Sequence, residues 1–383
     1  MTAARTATAR ELNRATLGRQ LLLRRKKLPI VDAVHRVVAL QAQEPASPYI
    51  ALWNRIAGFD PVDLDAAFAD GSIVKATSLR ITLHGVDAAD YPAFHEAMQP
   101  SLRAARLADP RFGVAGLSIA DADALVAEIL TFAKRPRTNA EVEAWLDGRL
   151  GVLPRPGIWW AVRTYAPFVH APTGGPWSFG PRPSYIAAPD QRRSGDQHAA
   201  LQVLIRRYLE GFGPASVQDI AQFAFVRRSR IRTAVEALGD ALTVVRGPDG
   251  TDLLDVPDGL MPGAESPAPP RLLGMWDNTL LAYADRSRMI PPNVRARVTR
   301  QNGDVLPTLL LDGQVAGVWR PVEDGIEATA FRRLDQDEWA GLETEARALR
   351  QFLAGRDPKV YGRYGHWWTK GIESVSVRTL ARA

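Results

Sequence analysis

Apolar residues recur at helical spacing over most of the chain, and the runs are separated by short segments rich in Gly, Pro or β-branched residues. The first run, Arg10 to Arg25, places Leu12, Leu17, Leu21, Leu22 and Leu23 among Arg and Gln, and Pro29 stops it. Pro29 also opens a second helix, Ile30 to about Ala42, which Pro45 ends. Tyr49 to Ala57 and an Asp60-capped helix from Pro61 to Ala69 follow, terminated by Gly58 and Gly71. Ile73 to His84 then changes to alternation, which predicts a short hairpin. Helices followed by a hairpin is the order of a winged helix-turn-helix unit.

The order recurs twice. Ala120 to Ala133, Ala140 to Leu146 behind a Thr138 cap, and Gly157 to Thr164 precede Phe168 to Ala187, a long wing rich in Gly, Pro and aromatics. Ala199 to Glu210, a Ser216-capped helix through Phe223 and an Arg-rich helix from Arg227 to Leu238 precede Leu242 to Arg246 and Asp252 to Val256, which pair about Asp249-Gly250. The Pro- and Gly-rich stretch Gly259 to Pro270 separates these units from a different region. There Arg297 to Gln301, Asp304 to Leu311 and Gln314 to Arg320 are joined by Asn302-Gly303 and Asp312-Gly313, so a hairpin and meander are predicted, continued by Ile326 to Arg332 and closed by a helix from Asp335 to Leu353. The fold class is helix-rich α+β, with three tandem winged helix-turn-helix units at 1–110, 111–190 and 191–260 and a C-terminal β-hairpin/meander region at 261–383.

A length of 383 residues suits several cores. With 46% hydrophobic and 23% charged residues, neither disorder nor a fibrous class is indicated. No apolar run is long enough for a membrane span and no signal core precedes the first helix, so a cytoplasmic protein without membrane partners is expected. The absence of Cys excludes disulfides, thiolate nucleophiles and Cys-ligated metal. A net charge of +6, carried mostly by Arg, favours polyanionic partners, although an Ala- and Arg-rich composition also arises from a GC-rich genome.

Candidate chemistry begins in the second helix. At 100° per residue Ile30, Val31, Val34, Val37 and Val38 form one stripe, and Gln41 falls near its centre. Gln43 lies nearly opposite, so the two amides converge only if the backbone leaves helical geometry before Pro45. The competing reading makes Gln41 a buried amide bonded to backbone at a helix end, with Gln43 solvated.

The stretch Leu40-Gln41-Ala42-Gln43-Glu44-Pro45, followed by Tyr49, Leu52 and Trp53, resembles the signature of the AlkZ-type winged-helix DNA glycosylases. A second match is Leu281-Ala282-Tyr283-Ala284-Asp285-Arg286-Ser287-Arg288, followed by Arg300 to Asp304 and Val315 to Arg320. The resemblance implies tandem winged-helix units forming a concave DNA-binding surface, a β-hairpin that enters the DNA, and Gln41 and Gln43 as the catalytic pair. Where the family often has His, this chain has Tyr283.

Two amides titrate nowhere near neutral pH and make no strong general base. They suit a base already activated as a leaving group, such as a purine alkylated on a ring nitrogen, for which placing water and stabilising charge at the sugar is enough. Further DNA contacts are expected from Asp285, Arg286 and Arg288, from Arg300, Gln301 and Asn302, and from Arg227, Arg228, Arg230 and Arg232 at the start of the Arg-rich helix, with ion-paired turns or solvated basic faces as the bland alternatives. His84, His95 and His170 lack metal-ligand spacing, the Asp63–Asp65 and Asp121–Asp123 pairs suit helix N-termini, and Gly174-Gly175 lacks the strand and Lys of a phosphate loop. No metal or cofactor is expected. The sequence therefore points to a bacterial, nucleoid-associated, monomeric and monofunctional DNA glycosylase acting on duplex DNA with alkylated bases such as N7-alkylguanine and N3-alkyladenine. The alternatives are a winged-helix transcriptional regulator and a silent lesion binder.

Overall fold

The computed structural model describes residues 5–114, 116–151, 156–189 and 195–382. Thr8 caps α1 (Ala9–Arg19) in a reciprocal box with Glu11. The helix stops six residues short of the predicted Arg25, because Leu21 turns to φ +58° and lets Leu22 fold back into the core beside Leu17. The second helix is also shorter than its apolar stripe: α2 (Ile30–Val37) ends at Val38, φ +73°, and the chain enters β1 (Leu40–Gln41). Tertiary pairing decides this, since Leu40 and Gln41 pair with Gly85 and His84, and the Asn278 side chain donates to the Ala39 carbonyl at the bend.

α3 (Ser47–Trp53) is buried along its whole length, and α4 (Pro61–Asp70) has the predicted Asp60 cap and Gly71 stop. The predicted hairpin is β2 (Ile73–Thr77) and β3 (Leu83–Asp87). Residues 91–107 carry no predicted element yet form α5 (Tyr91–Leu107), whose Tyr91, Phe94, Met98 and Leu102 are buried; Pro100 in its middle disguises the helical spacing. α6 (Pro110–Gly113), α7 (Ile119–Phe132), β4 (Arg137–Thr138), α8 (Asn139–Leu150), α9 (Pro156–Tyr165), β5 (Phe168–Ala171) and β6 (Ser184–Ala187) follow. Lys75 of β2 pairs with His170 of β5, so the hairpins of the first two predicted units join in one six-stranded sheet, β1-β3-β2-β5-β6-β4.

The segment predicted as the third unit forms α10 (Gln197–Phe212), α11 (Val217–Ala224), α12 (Arg228–Leu238) and the two-stranded ribbon β7 (Thr243–Arg246) and β8 (Asp252–Asp255). Beyond it, β9 (Arg271–Leu273), β10 (Thr308–Leu311), β11 (Gln314–Val322), β12 (Gly325–Ala330) and β13 (Ser376–Leu380) form an antiparallel sheet in the order β13-β12-β11-β10-β9. One expectation fails here. Arg297 to Gln301 is not a strand: the chain makes a single helical turn, α13 (Arg295–Val298), and the Asn302-Gly303 turn is closed by an isolated bridge, Thr299 to Val305, with the Arg300 N–H donating to the Asp304 carbonyl at 2.8 Å. Burial of Val294 and Val298 on successive helical turns favours the coil over extension. α14 (Gln336–Ala354) lies where predicted, and α15 (His366–Thr369) precedes β13.

Two apolar clusters organise the interior. One joins α1, α3 and α4 to the C-terminal sheet and α14, and the other joins β2, α5 and α9 to α10, α11 and α12. Two buried ion pairs, Arg19–Asp255 at 2.6 Å and Arg55–Asp277 at 2.8 Å, link the N-terminal segment to β8 and to the loop after β9. The structure is helix-rich α+β.

Candidate active site

Gln41 does not stand on a helix. It is the last residue of β1 and is 5% exposed. Its Oε1 accepts the Gln43 backbone N–H at 2.6 Å, which folds the chain into a loop and leaves the Gln43 side chain exposed. The amide of Gln41 thus has the backbone partner of the structural reading, and it also opens onto a small crevice lined by Ala39, Ser47, Arg55, Met275, Asp277 and Asn278. The strand and the loop after it join Gln41 to Gln43 through the backbone N–H of Gln43, while the buried Gln41 amide and the exposed Gln43 side chain face different surroundings.

Charge around this loop was not legible in the sequence. Burial pushes the Glu44 carboxyl up, opposed by Arg363 and by the Tyr364 hydroxyl, which donates to Glu44 Oε1 at 3.0 Å. Both partners lie more than 300 positions along the chain. Lys75, 5% exposed, rests its ammonium 4.3 Å from the Phe179 ring; burial lowers its pKa to about 8, with Glu44 acting in the opposite direction. A buried Lys whose folded pKa lies below its unfolded value destabilises the fold at neutral pH, and that cost fades as pH rises past 8 toward 10.5, where the unfolded chain also loses its proton. Lys75→Met is therefore expected to raise the melting temperature at pH 7, with a gain that shrinks between pH 8 and pH 10.5; a constant gain, or a loss at pH 7, contradicts this assignment.

Across the sheet from Gln41, His84 is buried, and burial followed by Arg80 lowers its pKa to about 3. It bonds the Thr82 carbonyl through Nδ1 and lies 3.2 Å from Arg80 Nη2 through Nε2. Arg80, at φ +54°, donates to Asn278 Oδ1 at 2.7 Å, and burial, then Arg286, brings its pKa to about 9. His95 bonds the Tyr165 carbonyl, and burial, then Lys75, lowers the His170 pKa to about 3. Among the described residues, His35, Asp87 and Asp90 come close enough to share an ion, but the Arg207 guanidinium already bonds Asp90 at 3.2 Å.

The other predicted contacts are dispersed. Asp285 is exposed and spends its carboxylate on the Ser287 N–H and hydroxyl at 3.0 and 2.7 Å. Arg286 donates to Thr299 Oγ1 at 3.1 Å, and burial, then Arg295, lowers its pKa. Arg288 is tied down, bonded to the Pro214 carbonyl and stacked 3.9 Å from the Tyr283 ring. Tyr283 itself is a core residue whose hydroxyl bonds the Phe212 carbonyl and Thr16. Arg300 packs 5.0 Å from the Trp367 ring, whereas Gln301 and Asn302 are exposed at the turn. Arg227 and Arg228 are exposed, and Arg230 is half-buried on the solvent side of α12, with Ile231 and Ala234 facing the core.

A sequence model of the family described as DNA glycosylase AlkZ-like matches residues 34–352. The chain belongs to the AlkZ-like DNA glycosylase family. It is similar to an interstrand DNA cross-link repair glycosylase of Streptomyces sahachiroi, 25% identical in an alignment 351 residues long that covers 86% of this chain and 92% of that protein. Its fold is that of the solved structure of Streptomyces sahachiroi DNA glycosylase AlkZ, with a TM-score of 0.77 and 21% identity, covering 90% of this chain and 96% of the other. The AlkZ-like span takes in the Gln loop, the elements α10 to β8, Asp285 to Arg288 and the Asn302 turn, and it stops before residues 353–382. Among the described residues, no helix of this AlkZ-like glycosylase is long and apolar enough to cross a membrane.

Proposed function

We propose that this AlkZ-like glycosylase hydrolyses the N-glycosidic bond of cationic alkylated purines, N7-alkylguanine or N3-alkyladenine, with Gln43 and Gln41 placing water and stabilising charge at the sugar. The observation that carries this reading is the composition of the loop: from Val38 to Trp53 the one ionisable acid is Glu44, and it is bonded to Arg363 and Tyr364. Without a free strong base or acid, the leaving group must arrive already activated by its own charge. An amine for a Schiff base is also missing from the loop; the nearby Lys75 lies buried under the Phe179 ring. The enzyme is therefore monofunctional and leaves an intact abasic strand.

The regions 1–110, 111–190 and 191–260 are read as three winged-helix units that present a monomer's basic face to duplex DNA. Arg227, Arg228, Arg230, Arg286 and Arg300 supply phosphate contacts; Asp285, Arg288, Gln301 and Asn302 complete the proposed interface. The short Asn302 turn reaches less far than a full hairpin and holds the duplex at its tip. Bulky adducts and crosslinks fit a loop-borne site with an exposed Gln better than an enclosed base pocket, and their removal in a bacterial cytoplasm, at the nucleoid, confers genotoxin resistance.

Incubation with N7-methylguanine duplex followed by alkali is expected to cleave the strand at the lesion, with no covalent adduct trapped by borohydride. Affinity for undamaged DNA should fall steeply with salt and vary little with sequence. Protection of one palindrome without base release would establish a regulator instead, and a borohydride adduct at Lys75 would make the enzyme bifunctional.

A further inference from the structure

Residues 353–382 lie beyond the family match, yet they tie two parts of the candidate site together. On one side, the buried Tyr361 hydroxyl accepts the Met275 N–H at 3.1 Å and bonds Ser47 Oγ at 3.0 Å, and Met275 and Ser47 line the crevice that holds Gln41. Tyr364 donates to Glu44, the residue after Gln43. On the other side, the Trp367 indole N–H donates to Asp304 Oδ2 at 2.8 Å. The Trp276 indole, edge-on to Tyr364 at 5.4 Å, donates to the Gly303 carbonyl at 2.9 Å. The Asn302 turn is therefore fixed to the segment that also holds the Gln loop.

Three basic side chains gather around the Trp367 ring: the Arg300 guanidinium at 5.0 Å, the Lys370 ammonium at 4.8 Å and the His366 imidazole, ring to ring at 4.7 Å. An indole attracts each cation, but two like charges brought to one ring repel each other. The carboxylates at hand do not neutralise them. Asp304 favours the Arg300 charge, but its carboxylate is bonded to the Trp367 N–H and to the Asn302 amide at 3.0 Å, and Glu373 pairs with Arg297 at 2.7 Å. Among the described residues, neither Arg300 nor Lys370 forms an ion pair. Arg300 Nε and Nη2 are buried without partners, which leaves Nη1 as the guanidinium nitrogen that reaches the surface, and Lys370 is exposed. Two uncompensated cations on one anchored ring, beside a turn read as holding the duplex, suit the oxygens of a nucleic-acid backbone, which take most of their contacts from Arg and Lys.

We propose that Lys370 is a backbone-phosphate contact for duplex DNA, paired with Arg300 on the Trp367 ring, and that Trp367 is the positioning residue that carries both. The inference rests on the reading of the Asn302 turn as a DNA contact and extends that interface onto the C-terminal segment. Because the same segment holds Glu44 beside Gln43, docking of the backbone and the shape of the Gln loop share one support.

The test is binding of the full chain to undamaged and N7-methylguanine duplexes across a range of salt. Lys370→Gln, at an exposed position, is expected to weaken low-salt binding on the order of tenfold and to lower the slope of log affinity against log salt by about one, equally for both duplexes. Lys359→Gln makes the same change of charge at another exposed lysine of the segment and is expected to leave affinity and slope at the wild-type values. Trp367→Ala should lose at least as much as Lys370→Gln, and Trp367→Phe, which keeps a ring under the cations, should restore most of it. A merely structural Trp367 would lower the melting temperature and leave the slope alone. An unchanged slope and affinity in Lys370→Gln, or equal losses in Lys359→Gln, overturns the contact and leaves the glycosylase reading standing. If Trp367→Ala does not fold, Lys370→Gln still decides. A wild type that binds duplex but releases no base defeats the glycosylase reading, and the same slopes judge the contact; a wild type without affinity for duplex overturns both.

Discussion

Replacing Gln43 by alanine is expected to slow excision of N7-methylguanine by tenfold or more, about 1.4 kcal/mol in the barrier, with little change in affinity for the duplex. The exposed amide has no part in packing, so the melting temperature should stay at the wild-type value. Gln41→Ala should lose activity to at least the same degree by a different route, because its Oε1 holds the Gln43 backbone at 2.6 Å and its side chain is 5% exposed. Some loss of stability is expected there, and Gln41→Glu, which keeps the acceptor oxygen, separates loop geometry from the amide itself. Single-turnover rates on folded variants decide the matter. Wild-type rates in folded Gln43→Ala would remove the amide from the mechanism.

The largest stability effect is expected from Asp277→Ala. The Asp277 carboxylate takes both Arg55 nitrogens at 2.8 Å as well as the Thr279 N–H and hydroxyl, with both charged side chains 2% exposed. Removing the carboxylate strands a buried guanidinium, at a cost of about 3–5 kcal/mol. Replacing both partners together, Arg55→Met with Asp277→Leu, should recover most of that loss because no charge is left unpaired. Burial raises the Asp277 pKa, but Arg55 and the Thr279 bonds outweigh it and hold the carboxyl below its ordinary value. The folded pKa is thus the lower one, so this pair's stabilisation is present above the unfolded value and is lost as pH falls through the folded one. Urea midpoints at pH 7 and pH 3 check both statements: a single variant within 1 kcal/mol of wild type at pH 7, or a wild type whose midpoint is unchanged at pH 3, contradicts them. Arg55 and Asp277 also line the Gln41 crevice, so Asp277→Ala should lower excision as well as stability.

Much of the secondary structure is local and was readable. The Asp60 cap and Gly71 stop, the Ser216 cap, and the Asp249-Gly250 and Asp312-Gly313 turns each act within a few residues, so spacing alone reveals them. What failed was set by distant partners. α1 and α2 end early because Leu22 is packed in the core and Leu40 and Gln41 are paired in a sheet, and neither demand leaves a mark on helical periodicity. Arg297 to Gln301 has strand-like residues beside a strong turn signal, yet Val294 and Val298 are drawn into the interior as a coil.

The candidate site divides the same way. The sequence by itself determined that two glutamines lie two residues apart before a proline, that no cysteine competes with them, and that the arginines cluster at the start of one helix and around Asp285, since each is a matter of residue identity and near-neighbour spacing. Only the tertiary structure decided that Gln41 leaves its helix for a strand, that Glu44 is held by Arg363 and Tyr364, that Lys75 is buried beside it, and that an aromatic wall from the C-terminal segment closes the crevice. The physical reason is range: caps and turns are satisfied by backbone within one turn of the chain, whereas a buried charge or an unpaired strand edge must find its partner wherever folding brings one.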